Sequence, residues 1–284
     1  TNSVFKNLIL NNIGDTIITN NTIINDNLLS TFDSTNAVVT DNYVVSYNAT
    51  NVLAGNNAFS AGGTIENNMP TEQVDYVLNE TNYNTLFNED NTLKDTVSGT
   101  ILVVGNITTP VIITNPVNII TAKNPGKYTY YDGTTVDIEY GLSDVTFAQG
   151  SSYSNITGAQ IGNIKINDNG ITVSNSNITG KVTVSSSGAI IKDNNIIGEN
   201  ALVELVNAET ATIINNNIET NNTYAVTVDA DSIENTIKDN TLIAGQLKGN
   251  NAIENNADDT VIENNGPLSD PELIIDTTEF TEGW

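Results

Sequence analysis

The side chains able to do chemistry in this chain are nearly all carboxylates. Thirty-four Asp and Glu residues stand against nine Lys; Arg, His and Cys are absent, and the formal net charge is -25. That inventory removes several reaction classes. Eliminative cleavage of an acidic glycan needs a strong base and usually a cation to steady the developing charge. Only Lys could supply either, inside a field that repels an anionic sugar. Nucleic acid and anionic lipid are repelled in the same way, and no basic patch reverses the sign. Glycoside hydrolysis needs only two carboxylates at a suitable separation, so a polysaccharide hydrolase stays open as an alternative. Yet no pair distinguishes itself. Asp258 and Asp259 sit side by side in a turn-like stretch, and Asp41, Asp193 and Asp239 recur at one position of a repeat, as an architectural residue does. No catalytic or cofactor-binding residue is assigned.

The acidic, Asn-rich turn from Lys165 to Gly170, KINDNG, offers oxygen ligands of the kind a hard cation takes. It lacks a complete twelve-residue calcium loop, and the glycine-rich calcium-binding nonapeptide is absent, so structural calcium is a weak candidate and the metal ligands stay unknown. Asn-x-Ser/Thr acceptors occur at Asn20, Asn48, Asn79, Asn106, Asn155, Asn177 and Asn221. In so Asn- and Thr-rich a chain the motif arises by composition; Asn79 and Asn221 read as the exposed ones.

The elements that must position all these groups are short and repeated. The formula aliphatic, then Asn three places on, then aliphatic two beyond, occurs as IKDNNI (Ile191 to Ile196), IINNNI (Ile213 to Ile218) and IKDNTL (Ile237 to Leu242). Asn194, Asn216 and Asn240 are 22 and 24 residues apart, and upstream copies place Asn21 and Asn42 at an interval of 21. VSNSNI (Val173 to Ile178) fits with Ser176 in the Asn position. The intervening runs alternate Ile, Val and Thr and are punctuated by Asn, Asp and Gly, which suits strands and tight turns and suits helices poorly. The spacing predicts an all-β, right-handed parallel β-helix, each strand pairing with its counterpart in the coils above and below. Turned inward at one corner, the Asn side chains Asn21, Asn42, Asn194, Asn216 and Asn240 would form a ladder in which each amide pairs with its neighbours, the condition on which buried polar groups persist. The same residues facing water as ordinary turn residues is the competing reading. Stacked as one column at about 4.8 Å per coil, the chain would form a rod on the order of 60 Å long.

A longer period overlies the coils. AGNNAF (Ala54 to Phe59) returns as KGNNAI (Lys248 to Ile253), TIENN (Thr64 to Asn68) as VIENN (Val261 to Asn265), and Phe87 as Phe280, with shifts of 194, 197 and 193. The expected organisation is the end of one module over 1–91 and a second over 92–284. Within the second, 92–150 forms irregular first rungs or a cap, 151–265 the regular rungs and 266–284 an exit segment. Ends must be capped, because an open β-helix exposes core and edge strands. Thr1 falls in rung-like sequence, so the chain is expected to continue into further modules, with any secretion signal or wall anchor elsewhere. No window has the apolar length of a transmembrane span.

The block Asn79 to Thr121, NETNYNTLFNEDNTLKDTVSGTILVVGNITTPVIITNPVNIIT, resembles the opening of modules in the large adhesin-like surface proteins of methanogenic archaea, and the INNNI-type rungs resemble their right-handed β-helix repeats. The resemblance implies an extracellular protein of the cell surface or wall that attaches to glycans or surface proteins of other cells, and it carries over no catalytic residue. The functional expectation is therefore a non-enzymatic adhesin region, a rigid rod presenting a glycan- or surface-binding face. A purely structural stalk is the nearer alternative. Tyr128, Tyr130 and Tyr131, the one aromatic cluster, are the candidate surface-binding aromatics.

Overall fold

The computed structural model describes residues 4–6, 8, 15–25, 36–48, 51–59, 63–122, 126–129, 133–138 and 140–267. Within them the chain is a parallel β-helix, in which corresponding residues of successive coils hydrogen-bond in register. Val173, Ile191, Ile213 and Ile237 occupy one such position, each paired with the next. Their side chains alternate with outward-facing neighbours, and all four are fully buried. The β-branched residues suit this arrangement because they pack on the pleat of a strand buried on one face.

The expected single column is instead two coils. The first is built from a four-stranded sheet (Val4–Lys6, Thr22–Asn25, Tyr43–Asn48, Asn51–Ala54) and a three-stranded one (Ile17–Thr19, Val38–Thr40, Thr64–Glu66). The second has a nine-stranded sheet running from Tyr76–Leu78 to Val261–Glu263, and a thirteen-stranded one. Two strand series merge in the latter through the long strands Gly141–Phe147 and Gln160–Ile166. Tyr76–Leu78 pairs with Gly99–Val103. Residues 76–78 thus already belong to the second coil. Most of the expected exit segment, with Phe280, lies outside the described residues.

The two coils meet side to side. Leu102 lies between Ile101 and Val103, which enter the second coil's core, so its own side chain points outward; it is nonetheless fully buried. It belongs to an apolar cluster that joins Ile24, Val45 and Tyr47 of the first coil to Val77, Leu102 and Ile120 of the second. That cluster, and not a continuous ladder, connects the coils.

The start of the second coil and the far end of each coil are closed. Ahead of the second coil's first core residues lies a single helical turn, Tyr83–Leu86, with Phe87 extended just beyond it. The turn is set by Asn82, whose side chain bonds the Asn79 N–H and the Val77 carbonyl. It places Leu86 and Phe87 over the start of the second core, with the Tyr83 and Phe87 rings stacked at 4.6 Å. At the other end the repeated GNNA sequences both form one-turn 3-10 helices, Gly55–Ala58 and Gly249–Ala252, each following an antiparallel strand pair. A cis X-Pro bond lies beyond each, at Met69–Pro70 and Gly266–Pro267.

Candidate binding surface

The five predicted ladder residues fall into two stacks. Asn21 donates from Nδ2 to Asn42 Oδ1 at 3.0 Å, and Asn42 to Asn68 Oδ1 at 2.9 Å. In the second coil Asn194, Asn216, Asn240 and Asn265 continue the same chain of bonds at 2.9 to 3.0 Å. All are buried, at 1 to 4% exposure. Each carboxamide oxygen in the stack also takes the backbone N–H of the neighbouring ladder residue. Ser176 heads the second stack: its N–H bonds Asn194 Oδ1, and its Oγ replaces the amide by accepting from Ala159 N. The stacks end on the 3-10 turns, where Asn56 and Asn250 accept from Asn68 and Asn265.

The left-handed backbone at the corner belongs to the residue before each ladder Asn. Asn20, Asp41, Asn67, Asn175, Asp193, Asn215, Asp239 and Asn264 have φ between 49 and 59°, and the ladder residues do not appear among the positive-φ positions. Asn and Asp tolerate that region better than other non-glycine residues. The motif is thus a pair of jobs, a turn former followed by a buried amide. Sequence reasoning missed Asn68 and Asn265 as ladder members, and also Asn235. Asn235 is fully buried at another corner, where it accepts from Ala211 N and donates to the Ala208 carbonyl. Ser232 stands three places before Asn235, where the formula has an aliphatic residue, so the pattern did not point to it.

The ladder amides are fully committed to one another, which leaves the carboxylates. Asp41, Asp193, Asp239, Asp258 and Asp259 are all exposed. Among the described residues no group of three or more His, Cys, Asp or Glu converges as a metal site would. In the calcium-candidate turn, Asp168 Oδ2 accepts from Gly150 N and Ser152 N, and Oδ1 from Ser152 Oγ and Asn169 N. Desolvation pushes its carboxyl up, but the donors led by the Ser152 hydroxyl outweigh this and hold it below the ordinary carboxylate value. The acid therefore braces two successive turns. Of the acceptor asparagines, Asn221 is exposed, whereas Asn79 is tied down: its Oδ1 accepts from Thr81 and Asn82, and its Nδ2 donates to the Tyr47 hydroxyl. Tyr130 and Tyr131 lie outside the described residues. Tyr128 lies in the strand Gly126–Thr129, which pairs with Thr135–Ile138.

What the fold does present is an open sheet face. On the nine-stranded sheet Thr172, Ile190, Thr212, Thr236 and Val261 form one outward row, and Ser174, Lys192, Ile214, Lys238 and Glu263 form the next. Neighbours in a row are one strand spacing apart, about 4.8 Å. The second row begins upstream with Leu102 and Ile120, which the first coil covers, and changes to polar and basic side chains where that cover ends. These ten positions include two lysines and a single acid, on a molecule of net charge -25. Acids stand at the edges instead, at Asp193 and Asp239 along one corner and Glu209 along the other. The outward row of the thirteen-stranded sheet is different: it carries Glu204 and Glu254, the former paired with Lys181 at 3.3 Å.

Fold and surface together define a parallel β-solenoid with an internal asparagine ladder and an open, acid-poor sheet face. No protein-family model, curated protein or solved structure matches the chain. Among the described residues no helix is long and apolar enough to cross a membrane.

Proposed function

We propose that this chain is a non-enzymatic adhesin region of an extracellular, surface-associated protein, holding a flat binding face against glycan or another surface polymer. The observation that carries the reading is the make-up of the Thr172 to Glu263 face, where two of the chain's nine lysines stand with a single acid among ten outward positions of a molecule of net charge -25. Hydroxyl, aliphatic and ammonium groups repeated at strand spacing suit a periodic partner, and the internal ladder holds them rigid, so little ordering cost is incurred on contact. The absence of Cys suits an oxidising exterior, and the likeness of the Asn79 to Thr121 block to archaeal adhesin-like modules points the same way.

The test is binding of the chain to microbial envelopes and insoluble surface polymers, which the flat face meets and a cleft does not admit, alongside Thr212→Glu and Thr236→Glu. Both positions are partly exposed, so the substitutions add charge without opening the core. Loss of binding in both variants is the expected result. Binding that ignores them removes the face from the mechanism, and no binding by the parent chain favours a stalk.

A further inference from the structure

A cleft of about 800 Å³ opens where the two coils meet, with Tyr47 and Asn51 on the first coil's wall and Asp75, Tyr76, Asn79 and Ser98 on the second's. We propose that it is a binding site for a neutral oligosaccharide, a site separate from the open sheet face that gives the adhesive reading above a specific pocket.

The lining chemistry selects the ligand class. Among the described residues no Lys lines the cleft, and the one charged group there is the Asp75 carboxylate. Phosphates, sulfates and uronates would enter against that charge and against the field of the whole molecule. A single carboxylate beside amides is also a poor metal site, since hard cations collect several charged oxygens. A sugar instead needs neutral donors and acceptors around its hydroxyls and an aromatic wall for its C–H faces, and a carboxylate is a strong acceptor for a hydroxyl. Asn, Ser and Tyr beside one Asp supply that set. The volume lies within the range of ordinary ligand sites, about 300 to 1,000 Å³.

The walls are already fixed. Asp75 accepts from Thr100 N and from Gln73 Nε2, each at 2.8 Å. Tyr76 donates its hydroxyl to the Thr96 carbonyl at 3.2 Å. Asn79 spans the junction by donating to the Tyr47 hydroxyl at 2.6 Å, while its oxygen is held by the turn at Thr81. The exposed side chains of Asn51 and Ser98, on opposite walls, have no hydrogen bond within the described residues, so their groups stay available to a ligand. Both coils contribute, so a ligand bridging Asn51 and Ser98 also clamps the junction.

The experiment is titration of the full chain with a panel of neutral and uronate-bearing oligosaccharides, followed by calorimetry, for the parent and for Asn51→Leu, Ser98→Arg and Thr212→Glu. Asn51 and Ser98 are exposed, so neither change should unfold the chain; circular dichroism checks this. The expected result is preferential binding of neutral saccharides, weakened about tenfold by Asn51→Leu, the worth of one good hydrogen bond. Ser98→Arg should block the cleft, Thr212→Glu should have no effect, and amides of residues 43–48 should exchange more slowly with ligand present. Equal affinity for uronate-bearing sugars, indifference to both cleft variants, or no saccharide binding would each overturn the cleft proposal. Neutral-glycan binding lost only in Thr212→Glu would do the same while supporting the open face.

Discussion

Asn194 Nδ2 lies 3.0 Å from Asn216 Oδ1, and the same oxygen also receives the Asn194 backbone N–H at 3.0 Å. One carboxamide oxygen thus satisfies two donors from the adjacent coil in a setting that water does not reach. Asn216 meanwhile donates to the Ile191 and Ile214 carbonyls and to Asn240. The core stays apolar on either side, with Ile191 and Ile196 fully buried.

Replacing Asn216 with Ala removes the partner of the Asn194 N–H and of one Asn194 Nδ2 hydrogen and takes a donor from the Ile191 carbonyl, while Asn240 Oδ1 keeps the backbone N–H of residue 216. A buried group left unpaired costs about 1 to 3 kcal/mol, so a total of about 3 to 5 kcal/mol is expected in urea unfolding. Asn194→Ser should cost less, about 1 to 2 kcal/mol, because Ser176 already fills this position in the preceding coil with both hydroxyl functions bonded. Equal losses for the two variants would mean that the amide stack contributes nothing beyond filling space.

Asn215, one residue earlier, answers to a different rule. Its φ is 55°, a region that β-branched residues enter only under strain. Asn215→Gly should be close to neutral, whereas Asn215→Val should cost about 1 to 2 kcal/mol. The two neighbours are the same residue type in the sequence, yet the expected substitution profiles are opposite: Gly is tolerated at 215 and disruptive at 216. A scan in which both positions accept the same residues would contradict the division of labour.

These asparagines explain how far the sequence was readable. The ladder was legible because each copy sits in an aliphatic frame whose members enter the core, as Ile213 and Ile218 do. Which of two adjacent Asn or Asp residues turns the chain was not, since Asn and Asp serve both as turn formers and as polar partners. The side-to-side junction did leave a signal, the unbroken run Ile101-Leu102-Val103-Val104. A strand with one wet face alternates, and a run with no polar member is buried on both sides. The cleft left none, because Tyr47 and Tyr76 are brought together only by that junction, and nothing local to either marks it.

Asp168 predicts a pH dependence. Its carboxyl is held below the ordinary value of 3.8 by donors that only the folded chain supplies. The stabilisation is therefore complete above the unfolded-state value and is lost as pH falls from about 3.8 through the lower folded-state value. Asp168→Asn keeps the shape but turns an amide toward Gly150 N and Ser152 N. The variant should be less stable than the parent at neutral pH, and the gap in urea midpoint should shrink as the pH is lowered from 5 to 2. A gap that stays constant across that range would show that the carboxylate's charge is not what braces the turns.

Leu102 tests whether the two coils are separate cooperative bodies. Its outward side chain is buried in the cluster that Ile24, Val45 and Tyr47 of the first coil form with Val77 and Ile120 of the second. Leu102→Asp places a charge there with no partner, and the cheapest response is for the first coil to lift away, since the second coil's core is filled from the other face by Ile101 and Val103. Amides in Tyr43–Asn48 should then exchange faster, while those in Thr212–Ile214 and Thr236–Lys238 keep their protection. Ile101→Asp, one residue earlier, points into the second core and should abolish protection across that coil. If Leu102→Asp instead unfolds both coils at once, the junction is part of a single core and the division into two bodies fails.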